Sequence, residues 1–202
     1  TVVAVEPHTH PNKGPGVMSV VIKNDGKNVL HESVVPNKPL EELTADEIIE
    51  IVKNAGIVGM GGATFPTHVK ITSGIGKVNT VIINGAECEP YITGDHRTML
   101  ERPEQVIKGA TLLAKCFGVD KVYIGVEANK QNAADVLNQT IAELKAPVVV
   151  EVLHTRYPQG AEKQLIQAIT GREVPPGKLP ADVGCCVFNA ATTAAIYDAV
   201  AL

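Results

Sequence analysis

Tryptophan is absent, and only four Tyr and three Phe are spread over the 202 residues. Any core must therefore be built from Val, Ile, Leu and Ala, which the 45% hydrophobic content amply allows. No run of roughly 18 apolar residues occurs, so no helix of this sequence can cross a bilayer, and no signal-peptide pattern opens it. Lys and Arg do not exceed Asp and Glu; the formal net charge of −4 leaves no basic face for a nucleic-acid partner. Cysteine is scarce too. Cys88, Cys116, Cys185 and Cys186 form no C-x-x-C pair. Iron–sulfur clusters and structural zinc need several closely spaced thiolates, so neither is supported. This usage gives no disulfide framework and fits a reducing compartment. The six histidines are scattered, with His8 and His10 two apart in a turn-rich stretch, and no nucleophile–base set can be argued from spacing.

What is present is alternation. Residues 1–6 and 17–23 are rich in β formers, and residues 8–16 between them are rich in turn formers. Asn24-Asp25-Gly26 signals another turn. This reads as a small β module or half of one, and residues 36–39 read as a linker. Thr44 and Glu47 form a capping box ahead of a helix with Ile48, Ile49, Ile51 and Val52 on its apolar side, and Gly56 suits its end. Near-continuous apolar runs at 80–84, 121–126 and 148–153 read as strands. Helical spacing appears from Pro103 to Gly118, and over 132–144, 162–169 and 190–200. Apolar strands alternating with helices predict an α/β sheet covered on both faces. The chain opens at Thr1 without a methionine and reads as a piece of a longer polypeptide.

Four segments carry chemistry. Gly59, Gly61 and Gly62 in Gly-Met-Gly-Gly-Ala-Thr-Phe-Pro let backbone amides approach a ligand, and Pro66 suits the first position of a helix running through Lys70. A glycine turn at a helix N-terminus favours an anion; a plain tight turn fits the same residues. It is neither the P-loop nor the G-x-G-x-x-G pattern. Asn84-Gly85-Ala86-Glu87-Cys88-Glu89 follows an apolar strand, where ligands of open α/β sheets sit, although an acidic pair also suits a solvated loop. Cys88 stands between two carboxylates, which disfavour its thiolate. Residues 156–163 follow another strand and open a helix, so this loop should line the same sheet edge. Glu162 there also suits the helix dipole. The proline-stiffened loop 173–184 leads to Asn189, whose simplest role is to cap the helix after it. Cys116 falls in an apolar helix pattern as a small buried residue, and His96 reads as a surface residue in a turn.

Three of these motifs, G-M-G-G-A-T-F-P-T-H-V-K, N-G-A-E-C-E-P-Y-I-T-G-D-H-R and Y-P-Q-G-A-E-K-Q-L, closely resemble the C-type subunit of the Rnf complex, an ion-translocating ferredoxin:NAD oxidoreductase. They resemble more distantly the NADH-oxidising flavoprotein subunit of respiratory complex I. The resemblance implies a Rossmann-like parallel sheet over residues 41–202 that binds FMN and NAD(H), and a partial lipoyl-like β module with its linker over residues 1–40. It implies hydride exchange between nicotinamide and flavin, with no obligatory protein acid or base. Carried over by motif, Gly59, Gly61, Gly62 and Ala63 would face phosphate, Phe65 the nicotinamide nucleotide and Lys70 a phosphate. Asn84 and Glu87 would approach the flavin, and Glu89 the NADH. Tyr157, Gly160 and Glu162 would border the stacked rings, and Asn189 and Thr192 the phosphate or ribityl end. Glu89 and Glu162 would position rather than transfer protons.

The partners implied are NADH and other subunits of a membrane-bound electron-transport complex, on whose cytoplasmic side the chain would sit peripherally. The family's two 4Fe–4S clusters would lie in segments absent from this chain. Met60, Ala86 and Ala161 depart from the complex I pattern, which has Arg, Asp and Glu there. A related flavoprotein reductase (a cobalamin reductase, or the electron input of an amino-acid reductase) would share the motifs. A cofactor-free docking module is the alternative those departures raise.

Overall fold

In the computed structural model, which describes residues 1–32, 34 and 37–202, the chain divides into two units, residues 1–35 and 36–202. In the first, β1 (Val2–His10) pairs antiparallel with β2 (Gly14–Ile22). The strands run further than the turn formers suggest: Pro7 and His8 pair with Met18 and Val17, and the turn shrinks to residues 11–13. Alternation and β-branched Thr9 outweigh the local turn signals here. Asn24 and Asp25 make the expected turn, their Oδ1 atoms accepting from Gly26 N at 2.8 Å and Lys27 N at 2.9 Å.

Pro36, the first residue of the expected linker, lies outside the described residues. Asn37 belongs to the second unit, where its side-chain amide donates to Ala199 O at 3.1 Å and Val200 O at 3.0 Å. That unit begins with α1 (Ala45–Asn54), started by the Thr44–Glu47 capping box, and α2 (Thr67–Gly74). Then come β3 (Thr80–Gly85), α3 (Gly94–Glu101), α4 (Pro103–Phe117), β4 (Val122–Glu127) and α5 (Gln131–Leu144). The chain continues with β5 (Val148–Leu153), α6 (Glu162–Thr170), β6 (Cys185–Asn189) and α7 (Ala190–Ala201).

Two of these elements are not visible in the sequence pattern. One is α3, which places His96 in a helix rather than a turn; His96 Nε2 meets Asn132 Oδ1 at 2.9 Å. The other is β6, a fourth parallel strand beside β3.

The strand order is β5-β4-β3-β6, all parallel. From β3 the chain winds outward to β4 and β5, then returns to the opposite side of β3 as β6. Val81, Ile83, Ile124 and Phe188 join the larger core with α1, α4, α5 and α7. Ile82 and Val187 point the other way, into a second core with Leu165 and Ile166 of α6. Burial on both faces is why these strands read as unbroken apolar runs. Because the chain leaves β3 toward β4 on the side of α4 but reaches β6, on the other side of β3, by way of α6 on the opposite face, the crevice between the carboxyl ends of β3 and β6 is the topological switch point of the sheet, where open α/β folds bind ligands.

Candidate functional site

Asn84 lies near the end of β3 and Asn189 ends β6, paired across the switch point. Asn84 Nδ2 donates to Gly160 O at 2.8 Å, tying the loop after β3 to the loop after β5, and its Oδ1 accepts from Ala86 N at 3.1 Å. Asn189 caps α7, its Oδ1 accepting from Thr192 N at 3.0 Å, so the simpler sequence reading of it is observed. Its amide also donates to Asp95 Oδ2 at 2.7 Å. Burial pushes the Asp95 carboxyl above its usual range, against the lowering effect of that bond.

The glycine loop is closed at its neck by Gly59 N donating to Phe65 O at 2.9 Å and Thr67 N to Ile57 O at 3.1 Å. Pro66 sits one residue earlier than expected, at the N-cap of α2. Met60 N donates to the buried Thr192 Oγ1 at 2.8 Å, which fastens the loop to α7. Gly61 packs so closely on Asn189 that a Cβ would lie 2.9 Å from its Nδ2. A Cβ on Gly62 would meet no protein atom within 4 Å. Among the described residues, the amides of Gly61, Gly62 and Ala63 make no hydrogen bond to the protein. Three free amides in a turn that leads into a helix make a candidate anion cradle.

These segments enclose one cavity of about 690 Å³. Gly59, Gly61, Gly62, Ala63, Phe65 and Lys70 line it from the glycine loop and α2. Asn84 and Glu89 contribute from β3 and the loop after it, Tyr157, Gly160 and Glu162 from the loop after β5 and the start of α6, and Asn189 and Thr192 from β6 and α7. Glu87 does not line it. Its carboxylate accepts from Asp95 N at 2.9 Å and His96 N at 3.2 Å, capping α3 instead. The free amides that open α3 hold this side chain away from the cavity.

Leu179 and Pro180, from the proline-stiffened loop 173–184, also line the cavity, whereas the sequence pattern does not single out the wall formed by Cys185, Cys186, Val187 and Phe188. The apolar run Cys-Cys-Val-Phe ahead of Asn189 is the available signal. Phe65 and Tyr157 are 52% and 72% exposed and rim the cavity. Lys70 Nζ donates to Glu162 Oε1 at 3.0 Å and lies 5.5 Å from the centroid of Phe188. Burial pushes the Cys186 thiol up to about 12, so that thiol stays protonated at neutral pH.

The cavity suits a phosphorylated planar ring. Its volume falls in the range of small-molecule sites. The cradle offers donors for a phosphate, and β6 offers an apolar floor. Thr67 Oγ1, also on the lining, is buried without a hydrogen-bond partner among the described residues. A smaller cavity of about 440 Å³ adjoins it, sharing Glu89 and Tyr157 and reaching down to Glu127 and Lys130.

The family model described as the Nuo51 FMN-binding domain matches residues 52–198. The C-type subunit of the Na(+)-translocating ferredoxin:NAD(+) oxidoreductase complex of Acetobacterium woodii is 52% identical over 200 residues, covering 98% of this chain and 45% of the relative. The proton-translocating counterpart from Clostridium ljungdahlii is 46% identical, covering 98% of this chain and 43% of its own length. The chain thus spans less than half of these relatives. A crystal structure of NAD+-reducing NiFe hydrogenase in the H2-reduced state superposes with a TM-score of 0.72 at 25% identity, over 83% of this chain and 33% of that one.

Proposed function

The chain belongs to the Nuo51 FMN-binding domain family, and from that premise we propose that its 690 Å³ cavity holds FMN and admits NAD(H) beside it. One observation carries the reading: segments as distant as those bonded by Met60 and Thr192, 132 positions apart, meet around a single cavity lined by three residues with free amides. In this reading the amides of Gly61, Gly62 and Ala63 hold the phosphate, and Thr192 and Asn189 keep the loop in place for it. Thr67 offers its hydroxyl to the cofactor. Val187 and Phe188 form the apolar floor against which a ring lies out of water. Bound FMN supplies a reversible acceptor for the hydride of NADH. Phe65, Glu89, Tyr157 and Glu162 line the part of the cavity assigned to NAD(H), and their role is to orient the nucleotide. Lys70, paired with Glu162, adds a cation for the nucleotide phosphates. No side chain is assigned a proton transfer. Glu87 is assigned to the fold of the loop rather than to the cofactor.

The two relatives named above are subunits of ferredoxin:NAD(+) oxidoreductase complexes. We take this chain to serve the same kind of complex as its flavin and NAD(H) module, docked to other subunits at the cytoplasmic face of a membrane. No helix among the described residues is long and apolar enough to cross a membrane. The 4Fe–4S clusters that pass electrons onward belong, in this proposal, to parts outside these residues.

The test is a titration. FMN added to the purified chain should lose its fluorescence on binding, and NADH added anaerobically should then bleach the flavin. Unquenched fluorescence at micromolar FMN would overturn the reading in favour of a docking role.

A further inference from the structure

Three charged residues are buried beside the cavity: Glu87, Glu127 and Lys130 are 7%, 1% and 7% exposed. Glu127 ends β4, and Lys130 follows in the short turn Ala128–Lys130. All three ammonium protons of Lys130 have acceptors. The shortest bond, 2.8 Å, goes to the backbone carbonyl of Glu87; the others go to Asn129 Oδ1 at 3.2 Å and Glu127 Oε2 at 3.4 Å. The other oxygen of Glu127 accepts from Arg156 N at 3.1 Å. One buried pair therefore links the loops that leave β3, β4 and β5.

A pair of this kind is a poor device for stability alone. Taking both charges out of water costs several kcal/mol per ion, and a neutral pair of similar volume commonly holds a fold as well. The carboxylate contact is the longest of the three, so the ammonium is placed for the Glu87 carbonyl rather than for its counter-ion. Glu87 is also held from its other end, since its carboxylate caps α3. Two residues later the chain delivers Glu89 into the cavity. Glu89 has little to fix it there: its carboxylate meets only the Cys88 thiol, at 3.8 Å, among the described residues. The position of Glu89 is therefore set by its backbone, which is held at the Glu87 carbonyl by Lys130 and more weakly by Gly160 N donating to Cys88 Sγ at 3.4 Å and Ile92 N donating to Glu89 O at 3.5 Å.

We propose that Lys130, anchored by Glu127, is a positioning residue for the NAD(H) side of the cavity, fixing the Glu87 carbonyl and through it the placement of Glu89. This rests on the FMN and NAD(H) reading above. The glycine loop and α7 lie outside the Lys130 network, so FMN binding depends on it far less than nucleotide binding does.

The experiment compares the full 202-residue chain with Lys130→Met and with the neutral pair Lys130→Met/Glu127→Gln, which keeps a folded comparison if the single change strands the buried carboxylate. FMN affinity is read by fluorescence quenching, and NADH oxidation with ferricyanide as acceptor. Amide exchange over residues 86–92 is read without any cofactor. The expected result is FMN binding within about three-fold of wild type, a KM for NADH raised about ten-fold with a much smaller fall in kcat, and faster exchange over 86–92. Glu89→Gln should raise KM in the wild-type background and add less than about two-fold in the neutral-pair background, because the carboxylate is already misplaced there. Additive effects, an unchanged KM, or equal loss of FMN and NADH binding would overturn the proposal. A wild-type chain that takes up FMN but leaves NADH untouched, or takes up neither, removes the parent reading and this proposal with it. Unaltered exchange over 86–92 overturns only the clamp.

Discussion

Replacing Gly160 by Ala tests whether the two loops that flank the cavity must touch through bare backbone. A Cβ at this position would lie 2.2 Å from Ala86 O and 3.4 Å from both Ala86 C and Cys88 Sγ. Ordinary contact distances require the loops to part by about 1 Å. The obstacle is backbone, so no rotamer change relieves it. Overpacking of this kind costs about 1–3 kcal/mol. Parting the loops also strains the 2.8 Å bond from Asn84 Nδ2 to Gly160 O, worth about 1 kcal/mol. The sum, about 2–4 kcal/mol, appears as a fall in melting temperature of roughly 5–15 °C. Because the strain is relieved by opening the cavity itself, the FMN dissociation constant should also rise by at least about ten-fold. Thermal unfolding and FMN quenching on one sample measure both. Gly62→Ala is the matched control: its methyl would meet no protein atom within 4 Å, yet it lines the cavity. It should leave the melting temperature unchanged while weakening FMN. A Gly160→Ala protein with wild-type melting temperature and wild-type FMN affinity would refute the loop contact and the placement of the site built on it.

Thr192→Val preserves shape but removes the acceptor of the Met60 amide; FMN binding should weaken about ten-fold, with far-UV circular dichroism unchanged. Burial pushes the Cys116 and Cys186 thiols up to about 12 and Cys185 is buried. Iodoacetamide at mildly alkaline pH should therefore label only Cys88 of the native chain and all four cysteines after unfolding, as counted by mass spectrometry. The Glu47 carboxyl is held down to about 2, chiefly by the hydrogen bond from Lys38 and then by the Thr44 amide. Its folded pKa lies below its ordinary 4.5, so its contribution is complete above 4.5 and is lost as pH falls toward about 2. Urea midpoints across that window should fall less steeply in Glu47→Gln than in wild type.

The elements that the sequence announced are those whose signals are local. The Thr44 box, Pro103 and Gly118 mark helix ends by capping chemistry that needs no partner. The strands β3 and β4 are apolar because both faces are covered, and β5, at the sheet edge, keeps the same apolar run while partly buried. By contrast, β6 is five residues long and runs directly into an alanine-rich helix, so its apolar run has no boundary to separate strand from helix. Helix α3 buries only Met99, with Leu100 partly packed on the core, and is otherwise free of large apolar residues; the remote carboxylate of Glu87 supplies its cap. The same carboxylate explains why two similar glutamates, Glu87 and Glu89, part company: a partner beyond the motif decides which one enters the cavity. The remaining expected site residues meet at one place because the motifs sit at strand ends, and a parallel sheet brings those ends to one edge. The network of Glu127 and Lys130 carries no motif and becomes visible only once three loops are seen together.

The bond between Met60 and Thr192 spans 132 positions. The cradle is therefore not fastened in a growing chain until α7 has left the ribosome and docked. A chain cut before α7 keeps the glycine motif and its neck bond but lacks the tie to Thr192, and on the proposed reading would hold flavin weakly. In that reading, cofactor uptake therefore reports that α7 has docked on a loop 132 positions earlier in the chain.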